Sequence, residues 1–545
     1  MDTCKDIIMS QEYGDFIVNF VGSDSEALDR FKVLCFQRIS SYYGSIYRPL
    51  NELKELSIRN YSFGSIPTLY GLMERDLSVR SRDLQVALEK SGILKLQRQP
   101  VLSLKGQGCI MAFIDTGIDI FDMQFRYSNG DTRIIRIWDM NDSSGTPPQG
   151  ILYGSEYTED DINRVLRASE RGAVAQDESR HGNILARIAA GNDGAAPEAY
   201  IVAVKLKPAK KYLRDYYFIK DDAVAFQEND IMLGVNYIRA ISLQLNMPVS
   251  LCIAFGTNGR GHDGSSALSY IIDRFVSGVG AVVSMSTGDE GNKQLHASGQ
   301  VPLKDNSNSF NTVEVRIDER QQGLTINIWG GKPGLISVGV VSPTGEVIER
   351  VEARIGKSEI YNLIFDGTRV TIEYDLVEGD TGDELIIIKL ETPTAGIWSI
   401  RIYGDNQSYN VYLPISQFIH ENTYILEPNP DITIIDPALS KGAITTSLYN
   451  PVNEALFINN GRGFARDGQV KPDIATALSS GITAGAACQF LNWGIVEEKD
   501  MELRASDIKS YLIRGAIRDN DIPYPDRQWG YGKMDVYNSF EVIRG

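Results

Sequence analysis

Cysteine is scarce in this sequence: five residues in 545, at positions 4, 35, 109, 252 and 488. The number is odd and the spacing irregular, so neither a disulfide framework nor a zinc ligand set is expected. Cys109 and Cys252 fall inside apolar strand-like runs, where a buried free thiol is expected. No run of 18 apolar residues occurs, which argues against a membrane span, and the opening MDTCKDIIMSQEYGDF lacks the basic and apolar regions of a secretion signal. Positive charge is also short. Against 71 acidic residues stand 54 basic ones, a net charge of −17, with no Lys/Arg run, so nucleic acid and anionic membranes are poor partners. Acidic loops such as EGDTGDE match no calcium-binding spacing, and neither a cofactor nor a metal is called for.

What is present reads as an ordinary globular chain, 43% hydrophobic and 23% charged, long enough for three or four domains. The first ninety residues form a small α+β unit. DFIVNF alternates Phe16, Val18 and Phe20 like a strand, and SDSEALDRFKVLCF opens on capping residues with Leu28, Phe31 and Leu34 at helical spacing. From residue 91, GQGCIMAFID, AYIVAVKL, VSLCIAFG and GAVVSMSTG are near-continuous apolar runs separated by helical patterns, as in a parallel sheet buried on both faces. Between 307 and 430 the texture becomes short β-branched and aromatic strands with Gly, Pro, Asp and Asn turns, which predicts an inserted antiparallel sandwich or jelly roll. The α/β texture then returns. The expected units are 1–90, 91–306, 307–430 and 431–545, the second and fourth forming one domain. Trp329 and Trp398 lie on alternating strand positions of the insertion and suit core packing, with a carbohydrate-binding face as the rival reading.

Three segments carry chemistry. In GQGCIMAFIDTGID an apolar strand delivers Asp115 at its carboxyl end. In SRHGNILARIAAGN, His181 opens an Ala-rich helix. GRGFARDGQVKPDIA leads into KPDIATALSSGITAGAACQFLNWG. Together, in this order, they resemble the subtilisin-like serine proteases, whose triad runs Asp, His, Ser along the chain. His262, His296 and His420 lack such a setting and are expected to be structural or exposed.

The resemblance implies a nucleophilic serine eight residues before the glycine of an Ala-Gly pair. Counting back from Gly485 gives Ala477, and KPDIA runs straight on without the loop that normally precedes the serine. On a helix begun at 477, Ser479 and Ser480 are rotated by about 200° and 300°, so they are expected to cap or pack rather than meet His181. The resemblance also implies an asparagine oxyanion donor in an AGNEGN-like motif. Here STGDEGN places Asp289 there, or in a plain turn if the motif is displaced by one. A carboxylate offers no donor, and losing one such donor costs a subtilisin about 10²–10³ in turnover. A base with nothing to deprotonate performs no acyl transfer.

More narrowly, TLYGLM, GDTRIIRIWDM, FGTNGRGHDGSS, INNGRGFARDGQVKPDI and RQWGYGKMDVY resemble the Csp germination proteases of spore-forming clostridia. Active members cleave the precursor of a cortex-degrading enzyme, and others lack catalytic residues and regulate germinant sensing. The resemblance implies a subtilisin-like parallel sheet flanked by helices, an N-terminal α+β prodomain and an inserted jelly roll. It implies a pseudoprotease, not an enzyme, residing in the bacterial spore, with other Csp proteins as partners and a small-molecule germinant as a possible ligand. The prodomain tail is expected in the substrate cleft, its junction within residues 74–90 uncut. The rival readings are an active endopeptidase with a displaced nucleophile and an assembly scaffold for an active relative.

Overall fold

The four apolar runs become neighbours in one sheet. The computed structural model describes residues 3–75, 80–170, 172, 174, 177–303 and 310–544. Its central sheet has eight strands in the spatial order Ile474–Ala477, Ile444–Tyr449, Ala281–Ser286, Val249–Ile253, Ile110–Asp115, Tyr200–Lys205, Ile134–Asp139 and Ser155–Thr158. All neighbours are parallel except the last pair. Helices His181–Ala190 and Ser480–Leu491 pack together on one face, and Glu228–Leu245 and Ala267–Val276 on the other. Double coverage explains why these strands are apolar at nearly every position rather than at alternate ones. Every residue of Ser480–Leu491 is buried, small residues letting it sit close to the sheet. At Gly485 a Cβ would come within 2.2 Å of the Ala195 methyl.

The N-terminal unit is a three-stranded antiparallel sheet (Tyr13–Asn19, Tyr43–Pro49, Phe36–Arg38) with helices Cys4–Met9 and Asp24–Phe31. Capping boxes at Thr3/Asp6 and Ser23/Glu26 start both helices. Two expectations need correction here. The second helix stops at Phe31, where Lys32 turns left-handed (φ 51°), so Leu34 is off the helix and exposed. Cys4 and Cys35 are joined in a disulfide. The fold brings the start of one helix beside the strand Phe36–Arg38, a pairing that spacing alone does not encode. Cys109, Cys252 and Cys488 are free and buried.

The unit docks through charge as well as apolar surface. Asp15, fully buried, pairs with Lys210 at 2.6 Å and accepts a hydrogen bond from Gln227 at 2.9 Å. From it the chain continues into the strand Leu69–Leu72, antiparallel to Phe255–Gly256 on one side and Phe226–Gln227 on the other. The helix Ser81–Lys90 then buries Leu84, Ala87 and Leu88 in the main core.

The insertion is two antiparallel sheets, of six and five strands. The first strand pairs with the last long one (His296–Gln300 with Ser408–Tyr412). The next two pairs are Phe310–Ile317 with Gly396–Tyr403, and Gly323–Gly330 with Glu384–Glu391. Alternate pairs fall in opposite sheets, so the insertion is an antiparallel two-sheet β domain. Trp398 lies in the core between the sheets, beside residues such as Ile328, Ile386 and Val411. Trp329, on the outer face of the larger sheet, packs with Leu385, Ile387 and Tyr412 against Phe63 of the N-terminal unit. Both indoles are buried, so neither offers a sugar platform. His262 and His296 stack on Tyr412 at 3.8 and 4.5 Å, as structural histidines, burial pushing His262 down to about 3. No described helix is long and apolar enough to cross a membrane.

Candidate active-site cleft

Asp115 ends its strand with 1% exposure. His181 is the first residue of its helix. Arg180 before it is left-handed (φ 64°), and the Asp177 carboxylate accepts from the Arg180 and Asn183 N–H groups at 2.9 and 2.8 Å, capping the turn. Gly182 lets this turn close on the aspartate, since a Cβ there would lie 2.3 Å from the Gly117 carbonyl oxygen and 3.1 Å from the Asp115 Cβ. His181 Nδ1 thereby sits 2.8 and 3.0 Å from the two Asp115 oxygens.

The other ring nitrogen is taken. His181 Nε2 lies 2.6 Å from the carbonyl oxygen of Met73, at the end of the tail strand. Burial works against charging the imidazole. The negative charge and hydrogen bond of Asp115, the Met73 carbonyl and the nearby Glu74 outweigh it and raise His181 to about 9. At neutral pH the ring is an imidazolium donating at both nitrogens. In that state it polarises a carbonyl and accepts no proton.

The expected start of the nucleophile helix is corrected. Ala477 is not on the helix; it ends the strand Ile474–Ala477, opposite Tyr449, and is fully buried. Leu478 turns left-handed (φ 70°), Ser479 is the N-cap, and the helix begins at Ser480. The two serines are therefore not a half-turn away on a helix from 477 but together at its N-terminus. Ser479 caps as expected, accepting from the Gly481 N–H at 3.1 Å.

Glu74 occupies this N-terminus. It is 4% exposed, accepts from Ser479 Oγ at 2.7 Å and the Ser480 N–H at 3.2 Å, and also bonds the Ser480 hydroxyl. A helix N-terminus with free N–H groups and capping hydroxyls is a natural anion seat. Burial nevertheless raises Glu74 above the usual carboxyl range, the serine hydrogen bonds opposing and the charge of Asp289 adding to the rise. Among the described residues neither serine is hydrogen-bonded to His181. Asp289 lies three residues beyond the strand Ala281–Ser286 and lines, with Glu74, Arg75, Asn450, Phe457 and Leu478, a cavity of about 350 Å³.

The structure thus assembles Asp115, His181 and Asp289 around the tail and sets Ala477 in the sheet. The sequence reading missed Met73, Glu74 and the Ser479–Ser480 pair as partners. The only sequence signal was the apolar TLYGLM ending in a charged Glu-Arg-Asp. Residues 76–79 of the expected junction lie outside the described residues.

A parallel sheet delivering an aspartate, a histidine at a helix start and a second helix N-terminus beside them define a subtilisin-like protein. Residues 106–374 match the model of the Subtilase family. Among solved structures it is similar to the CspB protease of Clostridium perfringens, at 24% identity and a TM-score of 0.73, covering 84% of this chain and 97% of that one. It also matches the epidermin leader peptide processing protease EpiP of Staphylococcus aureus, at 10% identity and a TM-score of 0.44, covering 98% and 99%. No curated protein matches the sequence.

Proposed function

We propose that this chain is a subtilase without proteolytic activity that regulates spore germination through protein partners. The observation that carries the loss of activity is the double occupancy of the cleft: Met73 engages His181, while Glu74 engages both hydroxyls at the helix start. Ala477 at the counted nucleophile position and Asp289 in place of an oxyanion donor add to it. Likeness to the CspB protease over nearly all of that chain supports the germination setting, a spore location and other Csp proteins as partners. A small-molecule germinant is a further possible ligand. The test is the intact mass of protein purified free of other proteases, together with labelling by a fluorophosphonate. A single full-length, unlabelled chain is expected. A self-generated terminus between residues 74 and 91, or a labelled serine, would overturn the reading. Pull-down from spores tests the partner, an active Csp protease being the expected prey.

One observation favours an endopeptidase with a displaced nucleophile: the Met73 carbonyl stands at His181 and the next residue at the helix bearing Ser480. Labelling lost specifically in Ser480→Ala would support that alternative.

A further inference from the structure

Away from the cleft, one edge of the insertion is open. The six-stranded sheet ends in the strand Ser358–Asn362, which pairs on one side only, with Arg369–Asp375. The Leu363 N–H donates to the Thr368 carbonyl at 2.9 Å, and the Tyr374 N–H to the Lys357 carbonyl at 3.0 Å. Bonded residues alternate along an antiparallel pair. Odd-numbered positions therefore face the neighbouring strand, and Ser358, Ile360 and Asn362 turn their N–H and C=O groups to the free edge. Among the described residues no hydrogen bond reaches these groups from outside the sheet. Ile360, at the middle of the strand, is 46% exposed, and Ile355, Ile364 and Phe365, beyond its two ends, are 90%, 85% and 82% exposed. The last two are held outward, because the Glu346 carboxylate accepts from the N–H groups of Ile364, Phe365 and Asp366 at 2.9, 2.8 and 3.1 Å. The edge strand of the smaller sheet, Val347–Val351, instead exposes the charged Glu349 and Arg350, a common guard against pairing.

An edge with free backbone groups and apolar flanks is a template for another strand. A second copy of the same edge fits it. An antiparallel two-fold centred on Ile360 sets Ile360 opposite itself, Ser358 opposite Asn362, Glu359 opposite Tyr361 and Lys357 opposite Leu363. The outward N–H and C=O groups of Ser358, Ile360 and Asn362 then bond across the axis, and no like charges are opposed. Beyond the strand, the same axis carries Ile355 toward Phe365 of the second copy and Arg354 toward its Asp366. Exposed apolar side chains at equal distances on either side of one centre are what a self-complementary contact requires. A bilayer would take up those side chains but leave the edge N–H and C=O groups without partners. An extended segment of an unrelated protein would pair the backbone but gives no reason for the symmetric placement.

We propose that the free edge Ser358–Asn362 of the insertion is a homodimer contact, joining the six-stranded sheets of two copies into one continuous sheet. The contact lies outside the cleft and holds whether or not the cleft is active. It is small, so the full-length protein should show a reversible monomer–dimer equilibrium at micromolar concentration by sedimentation velocity. Ile360→Lys, which sets like charges opposite each other, should hold the protein monomeric throughout. Ile355→Ser and Phe365→Ser should each weaken association at least about tenfold. Ile360→Cys tests the register. Bonded antiparallel pairs stand about 5.5 Å apart at Cα, within disulfide reach. Mild oxidation should therefore cross-link Ile360→Cys to its own copy, the native free thiols being buried. Asn362→Cys, set opposite Ser358, should cross-link to Ser358→Cys but not to itself. All of these positions lie at an exposed edge or turn, so each variant should keep the parent Tm; if one fails to fold, the native protein's concentration dependence and the remaining variants decide. The proposal is overturned if the native protein stays monomeric to high micromolar concentration. It is equally overturned if Ile360→Lys leaves a dimer intact, or if Asn362→Cys cross-links to itself as readily as Ile360→Cys.

Discussion

At the residue scale the centre of the molecule is a histidine held as a cation. His181 stands at about 9 in the folded protein against an ordinary 6.5. Its folded value is raised, so its stabilisation is complete below about pH 6.5 and is lost as pH rises through about 9. The full shift corresponds to at most about 3 kcal/mol. An NMR titration of the ring should find it protonated at pH 8, and denaturation curves should weaken between pH 7 and 10. Asp115→Asn should remove most of both effects. A ring that titrates near 6.5 would refute the picture of an imidazolium clamped on Met73. A second expectation concerns Ala477→Ser. The new hydroxyl would sit at the end of a buried strand rather than on the helix start, with the Asp289 carboxylate lining the adjoining cavity beside Glu74. The missing oxyanion donor alone withholds about 2.7–4 kcal/mol. No release of the N-terminal unit should appear on a gel, with or without Asp289→Asn; complete release would refute this account.

At the scale of elements, the tail strand and the N-terminal unit are locked by buried polar groups as well as by sheet pairing. Asp15→Ala would leave Lys210 buried without its counter-charge, the situation in which removing one partner costs about 3–5 kcal/mol. Hydrogen exchange should show Tyr13–Asn19 and Leu69–Leu72 losing protection together, while the central sheet keeps most of its own. Unchanged protection would mean that the apolar contacts suffice. The insertion acts on the same unit from the other side, because Trp329, Leu385, Ile387 and Tyr412 pack on Phe63. Deleting residues 307–427 should therefore lower Tm and accelerate proteolysis of the N-terminal unit. A deletion as stable as the parent chain would show the sandwich to be an independent module.

For the whole molecule, these contacts predict one uncut polypeptide. The strand Leu69–Leu72 is held between two others, the Tyr70 hydroxyl donates to Asp436 at 2.9 Å, and Glu74 is seated at the helix start. Added active subtilase should cut near the junction slowly compared with exposed loops. Glu74→Ala, which empties the anion seat, should speed that cut by roughly tenfold if the seat contributes about 1.4 kcal/mol. Equal rates for parent and variant would assign the protection to strand pairing alone.

Much of this was legible in the chain because it is locally encoded. Four doubly covered strands read as unbroken apolar runs, Asp115 follows directly from one of them, and His181 announces itself by opening an Ala-rich helix. The switch to short β-branched strands likewise marked the insertion. What local pattern could not carry is which distant groups meet. Counting from Gly485 put Ala477 on a helix, but pairing with Ile444–Tyr449 satisfies its backbone in the sheet, and the left-handed Leu478 moves the helix start to Ser480. Glu74 reads as one acid among many until tertiary contacts seat it on Ser479 and Ser480, 405 and 406 positions away. The Cys4–Cys35 bond is a decision of the same kind. The sequence by itself determined the elements and the Asp–His chemistry, since periodicity and strand ends are properties of neighbours. Only the tertiary structure decided what fills the cleft and which distant groups pair, since burial and pairing belong to surfaces that the folded chain brings together.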